Sequence, residues 1–219
     1  MNHRYDILKS ISQGKDGAMP PENADLVHIA NDICRAAGCG SIDEAELTAG
    51  SGNVTDLNEA EKRAAEAWAK KCGRWTPIAD IFCYGMPGPS GSESDTFLSA
   101  DGYVYKMNNL MHCADSIVLA LSRFILFNTI FPDSAYTFIA FAGFSGRSVY
   151  PVVRQRHIKN SVPATQNEID CYMAAIGFQK ISNGRYENAN CVVWDVLPKN
   201  VLKDTTGDFF VIDAEISYK

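Results

Sequence analysis

Residues 192–215 read VVWDVLPKNVLKDTTGDFFVIDAE. The stretch supplies Asp195, then Asn200 five residues on, then the apolar pair Val201-Leu202. A polar turn around Gly207 follows, and an apolar strand over 209–212 delivers Asp213. Two strands joined by a tight turn put Asn200 at the start of the first and Asp213 at the end of the second. In an antiparallel pair those two ends lie side by side, so both oxygen-bearing side chains can face one point. Amide and carboxylate oxygens converging on one point suit a hard cation such as Mg²⁺, which also binds phosphate oxygens. Asp195, just upstream, is placed to point at the same pocket. The competing reading of these residues alone is an ordinary acidic surface hairpin.

The rest of the chain sets bounds. With 219 residues, 46% hydrophobic and 21% charged, there is enough apolar material for one large domain, or a small one plus a medium one. A net charge of −6 with no lysine-rich run argues against a general nucleic-acid or anionic-membrane binder. The opening MNHRYDILKS has no apolar segment, so no signal peptide is expected. The longest apolar stretch, around 117–131, is interrupted by Ser122, Arg123 and Asn128 and is too short to span a bilayer. A cytoplasmic location is expected. The seven cysteines (34, 39, 72, 83, 113, 171 and 191) are scattered, and the four histidines (3, 28, 112 and 157) make no metal pattern. Reduced, mostly buried thiols follow.

In chain order, residues 1–20 read as a loosely held arm. Asn23 or Glu22 then opens a helix with Leu26, Ile29, Ile33 and Ala37 on one face, stopped by Gly38 and Gly40. Ser41 to Glu44 is a capping-box-like start for a short second helix to about Thr48. Thr55 or Asp56 caps a third, LNEAEKRAAEAWAKKCG, ended by Gly73. Residues 1–74 are thus a small helical N-terminal unit without visible chemistry, expected to pack on the neighbouring domain or to dock a partner.

From Trp75 the period changes. Residues 78–84 read as a strand, and 85–94 (GMPGPSGSES) as a loop of small residues. Residues 95–99 form a second strand, Asp101-Gly102 a turn, and 103–107 (YVYKM) a third strand carrying Lys106. A glycine-containing loop lets backbone N–H groups approach phosphates, and a strand lysine can reach the same phosphates as a point charge. A long apolar helix over roughly 108–127 follows, then strands at 136–141 and 149–154. Pro151 demotes the last of these to an edge position or a bulge. His112 and Asn128 read as surface residues. Thr165 to Glu168 is a second capping box, opening the helix IDCYMAAIGF that ends at Gly177.

This order, over about residues 76–216, resembles the protein kinases. More narrowly, DGYVYK at 101–106, the FP–Y–F run at 131–138, D-x-x-P-x-NVL from Asp195 and ID-x-E from Ile212 resemble the kinase-like domain of bacterial and phage polyvalent proteins. The kinase pattern D-x-x-x-x-N is met by Asp195 and Asn200, and Asp213 follows Asn200 at the usual interval of thirteen residues. Several positions depart from the pattern. Val193-Trp194 replace His-Arg, Asp213-Ala-Glu215 replace Asp-Phe-Gly, the loop is not G-x-G-x-x-G, and the long helix carries no Glu for the lysine.

The resemblance implies an α+β, protein-kinase-like fold. Its N-lobe (75–155) would hold a five-stranded antiparallel sheet with one helix, and its C-lobe (156–219) would be truncated. It implies ATP and Mg²⁺, with Lys106 on the α/β-phosphates and Asp115 as its counter-ion. Gly91, Ser92 and Ser94 would lie at the phosphates, and Gln155 and His157 in the linker at the adenine edge. Asn200 and Asp213 would hold the metal, and Asp195 would accept a proton. The large lobe that binds a peptide in ordinary protein kinases is not expected here, so the phosphoryl acceptor, a protein among the candidates, stays open. Three readings follow: an ATP- and Mg²⁺-dependent phosphotransferase, a nucleotide-binding pseudokinase or interaction module, and a structural protein in which Lys106 and Asp213 lie far apart.

Overall fold

The computed structural model describes residues 19–38 and 54–219. The helix expected at 41–48 and most of the N-terminal arm lie outside the described residues. Helices α1 (Pro21–Ala36) and α2 (Val54–Lys71) lead into the chain. Pro21 at the first helical position starts α1, its fixed φ being preorganised for the first turn. Asn23, expected as the cap, is instead buried inside the helix, where its amide donates to the Ile125 carbonyl at 3.1 Å and to the Thr129 hydroxyl at 3.2 Å. Leu26, Ile29, Ala30 and Ile33 are fully buried on one face, against α3 (Ile117–Ile130). Each of the three larger ones contributes on the order of 1.5–3 kcal/mol by leaving water.

Helix α3 carries buried residues on every face, as a helix at the centre of a core must. It begins at Ile117, not near 108. Residues 109–116 form a loop with a short 3₁₀ turn, Met111–Cys113, and left-handed backbone at Leu110, Ala114 and Asp115. The apolar spacing that imitated helix there reports burial of Leu110 and Cys113 under the loop. Ser116 caps α3, and α2 reaches across to help: the buried Glu61 carboxylate accepts from the Ser116 hydroxyl at 2.6 Å and from the Val118 N–H at 3.2 Å. A carboxylate at a helix N-terminus meets unpaired N–H groups and the positive end of the dipole.

A mixed sheet lies against these helices. Its strands are β1 (Trp75–Pro77), β2 (Met86–Pro87), β3 (Ser94–Leu98), β4 (Tyr103–Asn108), β5 (Thr137–Phe144) and β6 (Ser148–Arg156), in the order β1-β5-β6-β4-β3-β2. The sheet therefore has six strands rather than five, and β1 pairs parallel to β5 while the other pairs are antiparallel. Residues 78–84, expected as a strand, are a 3₁₀ helix in which only Ile81 is buried. Gly85 returns the chain to the sheet so closely that a Cβ there would lie 2.3 Å from the Leu98 carbonyl oxygen. Strand β6 is interior, between β5 and β4, not an edge. It tolerates Pro151 because the β4 ladder ends at Val152, so the missing donor withdraws no bond on that side. Where β5 bulges between Phe138 and Ala140, the Arg74 guanidinium takes the Phe138 carbonyl at 2.6 Å and the Ile139 carbonyl at 2.8 Å, and pairs with Asp25 of α1 at 2.9 Å.

The C-terminal third adds α4 (Gln166–Ala175) and two small sheets. One has the order β13-β10-β9-β8, from β8 (Gln179–Ser182), β9 (Arg185–Glu187), β10 (Cys191–Trp194) and β13 (Glu215–Tyr218). The other has the order β12-β11-β7, from β7 (Val162–Pro163), β11 (Val201–Lys203) and β12 (Phe209–Val211). The capping box on α4 forms as read: the Thr165 hydroxyl accepts from the Glu168 N–H and the Glu168 carboxylate from the Thr165 N–H. The bond from Lys203 to Glu168, followed by those from Thr165, holds that carboxyl down at about 2. The larger hydrophobic core runs through α1, α2, α3, β5 and both small sheets, so the N-terminal helices share it rather than stand apart. Of the cysteines among the described residues, Cys34, Cys113 and Cys191 are buried and Cys72, Cys83 and Cys171 exposed. No described helix is long and apolar enough to cross a membrane.

Glu61→Ala leaves two buried donors at the start of α3 without an acceptor. It is expected to lower stability by about 2–3 kcal/mol, read as a shift in the urea midpoint at unchanged slope.

Candidate active site

The hairpin of β11 and β12 forms in the register the sequence implies: Val201 opposite Val211, Leu202 opposite Phe210, Lys203 opposite Phe209. The Ile212 N–H donates to the Asn200 carbonyl at 2.8 Å and closes the open end. Asn200 and Asp213 therefore leave the ladder side by side. They face a cleft of about 500 Å³ between the hairpin and the six-stranded sheet, and Lys106, Asp195 and the loop 89–94 line the same cleft. Four chemical groups drawn from positions up to 107 residues apart thus share one space.

Asp195 sits in left-handed backbone, φ 59°, a conformation Asp tolerates because its short side chain bonds locally. Its carbonyl and Oδ2 each accept from the Asn200 amide at 2.8 Å. Both bonds use the amide nitrogen, so the Asn200 oxygen remains an acceptor for another group. Lys199 Nζ lies 2.9 Å from Asp195 Oδ2 and also lines the cleft. Asp213 is exposed to the cleft and has no ion pair among the described residues. A carboxylate and an amide oxygen side by side are oxygen donors of the kind a hard divalent cation takes.

Lys106 enters from the middle of β4. Its ammonium donates to the Ile212 carbonyl at 2.7 Å and to the Tyr136 hydroxyl at 3.1 Å, both neutral acceptors. Burial pushes its pKa down, while the charges of Asp213 and Glu93 oppose that shift. Burial likewise raises the Tyr136 phenol well above its ordinary value.

Three further expectations need correction. Asp115 is not the counter-ion of Lys106. It precedes α3 in left-handed backbone and pairs with Lys62 of α2 at 2.5 Å. Gln155 and His157 do not line the cleft, because β6 continues through Arg156. Gln155 lies opposite Val104 with its amide buried on the Ser134 carbonyl, and His157 faces a separate hollow beside Asp101 and Arg156. His112 and Asn128 are not surface residues. Asn128 is fully buried and brackets the Tyr136 backbone with two bonds, and His112 is half-buried in an ion-pair cluster. Gly91, Ser92 and Ser94 do line the cleft, and a Cβ at Gly91 would meet nothing within 4 Å.

Sequence reasoning passed over that cluster. Glu93 Oε1 lies 2.8 Å from His112 Nδ1 and 3.8 Å from the Arg123 guanidinium, and His112 Nδ1 lies 3.3 Å from Glu215 Oε1. The ligand atoms of Glu93, His112 and Glu215 all fall within 4.8 Å of one another, close enough to accept a cation as well as to share the histidine proton. A small cavity of about 40 Å³, lined by Glu93, Lys106, Arg123, Tyr136, Asp213 and Glu215, joins the cluster to the cleft. Burial raises the Glu93 carboxyl; His112 and Arg123 act against the rise, Glu215 and Asp213 with it. No local motif announces this grouping, because its members come from four separate segments. Lys199, by contrast, was legible four residues after Asp195, inside the quoted stretch.

A family model described as serine/threonine/tyrosine kinase found in polyvalent proteins matches residues 58–219. No curated protein and no solved structure matches the chain. Asn200→Ala removes the donor that holds Asp195. It is expected to lower the stability of the nucleotide-free protein by about 1–2 kcal/mol in thermal unfolding, and Asn200→Asp, which faces Asp195 with a like charge, is expected not to restore it.

Proposed function

We propose, for a chain that belongs to the serine/threonine/tyrosine kinases found in polyvalent proteins, that the cleft binds ATP with Mg²⁺ and transfers its terminal phosphoryl group to a hydroxyl acceptor. The observation that carries this reading is that Lys106, Asp195, Asn200 and Asp213 line one cleft of about 500 Å³, of the volume small-molecule sites usually have.

In this reading the loop 89–94 offers backbone N–H groups to the phosphates and Lys106 holds the α/β-phosphate oxygens. Asn200 and Asp213 would hold Mg²⁺, which when bound would neutralise charge on the phosphate oxygens. Asp195 accepts the proton of the attacking hydroxyl as the new O–P bond forms and ADP departs. Lys199, beside Asp195, supplies positive charge where the transferred group gains negative charge. Positioning and charge neutralisation supply most of the rate, since the protein forms no covalent bond.

A binding-only role is the second reading. It is favoured by the Asp195 carboxylate being already engaged by Lys199 and Asn200, and by a helix without an acid for Lys106. Nucleotide binding with no transfer of labelled γ-phosphate to water, to the chain itself or to added hydroxyl acceptors selects it.

Mg·ATP at about a hundred times its dissociation constant is expected to raise the melting temperature by about 5–10 °C. Asp213→Ala is expected to abolish the magnesium-dependent part of that rise. A melting response the same in the variant as in the wild type overturns the assignment.

A further inference from the structure

Lys106 poses a problem that the family pattern does not solve here. The helix that should offer it a carboxylate, α3, contains no acidic residue, and the charged side chain it turns toward the small cavity is Arg123. The partners of the Lys106 ammonium are a carbonyl and a phenol. The acids that share its cavity are Asp213, Glu215 and Glu93. Under the proposed function Asp213 is committed to a divalent cation, and a carboxylate that ligates a dication has little attraction left for an ammonium. Asp213 and Glu93 are the charges that act on Lys106, and Glu215, 3.3 Å from His112, is not among them.

Glu93 is the remaining candidate, and its surroundings fit. It lies at the base of the loop that faces the phosphates, one residue before β3. Its backbone carbonyl accepts from the Asn109 N–H at 2.8 Å, and the Asn109 amide holds the Ser92 carbonyl at 2.7 Å, so the base of the loop is fastened to the end of the strand carrying Lys106. The enclosed oxygen Oε1 stands near His112 and Arg123 yet accepts no hydrogen bond of good geometry.

We infer that Glu93 is the positioning residue for Lys106: the carboxylate that the kinase pattern places on the helix has moved to the base of the phosphate-facing loop, and Arg123 on the helix is the matching exchange. With nucleotide and metal in the cleft, Glu93 holds the ammonium against the phosphates from behind, and Arg123 and His112 keep the carboxylate oriented toward it. This rests on the nucleotide-binding reading above and adds a role that reading leaves empty.

The test is calorimetric titration of the full chain with Mg·ATP and Mg·ADP. Glu93→Gln is expected to weaken both by about tenfold, the lower end of what an opposite charge at close range supplies. The double variant Glu93→Gln/Arg123→Glu, which returns the carboxylate to the helix, is expected to recover most of the loss. A carboxylate that merely stiffens the loop would not be replaced from another element, so a double variant no better than the single overturns the role. Unchanged binding by Glu93→Gln overturns it too. So does tighter binding, which would mark Glu93 as a like charge repelling the phosphates. Arg123→Gln removes a group that orients Glu93 and serves if Glu93→Gln does not fold: weaker binding of both nucleotides supports the role, and equal or tighter binding opposes it. A wild-type chain that binds no Mg·ATP removes the function beneath the inference, whereas wild-type binding with an unaffected Glu93→Gln removes the inference alone.

Discussion

A charge-assisted hydrogen bond from Lys106 Nζ to the carbonyl of Ile212 ties together the two halves of the cleft. The donor belongs to the middle of the six-stranded sheet and the acceptor to the residue before Asp213. Tyr136 buttresses the pair, its hydroxyl accepting from Lys106 and donating to the same carbonyl at 3.1 Å. Charge-assisted bonds in a half-buried place are the strong kind, on the order of 1.5–3 kcal/mol. The contact fixes how far the closing hairpin stands from the sheet, and hence how wide the space is in which phosphates would lie. It also explains why Lys106 is stable there without a carboxylate at hand, since two neutral oxygens solvate the ammonium in place of water.

What the sequence made legible was local. The β11–β12 hairpin, its turn and the flanking Asn200 and Asp213 follow from a short apolar run, a polar turn and a second apolar run, all within the stretch 200–213. The capping box at Thr165 and Glu168 is equally local, and both appear as read. The kinase-like order of loop, lysine strand, helix and hairpin survives as well, and the family match covers the same ground.

What was not legible was set by tertiary surroundings. Residues 78–84 look like a strand by composition, yet Pro77 precedes them and only Ile81 is fully buried, with Ile78 and Tyr84 packed partly against the same cluster, so the segment coils between two short strands. Residues 108–116 carry a helix-like apolar spacing. Asn108 instead bonds the Leu110 N–H with its own side chain and turns the chain, and the left-handed residues that follow exclude a helix. Pro151 was read against an average interior strand, whereas its neighbour's ladder ends one residue short of it. The grouping of Glu93, His112, Arg123 and Glu215 draws on positions more than a hundred residues apart, and only the folded sheet makes them neighbours.

The backbone on either side of the two site acids is one ladder. Trp194, immediately before Asp195, pairs with Glu215, two residues after Asp213, and the pairing continues to Cys191 and Tyr218. The segment following Asp213 is therefore already woven into a sheet, with Val193 and Ile216 sealed beneath it. A kinase whose corresponding segment is a free loop can be turned on by ordering that loop. Here such a switch would first have to unzip four residue pairs and lift two apolar side chains into water. The spacing between Asp195 and Asp213 is consequently a constant of the scaffold.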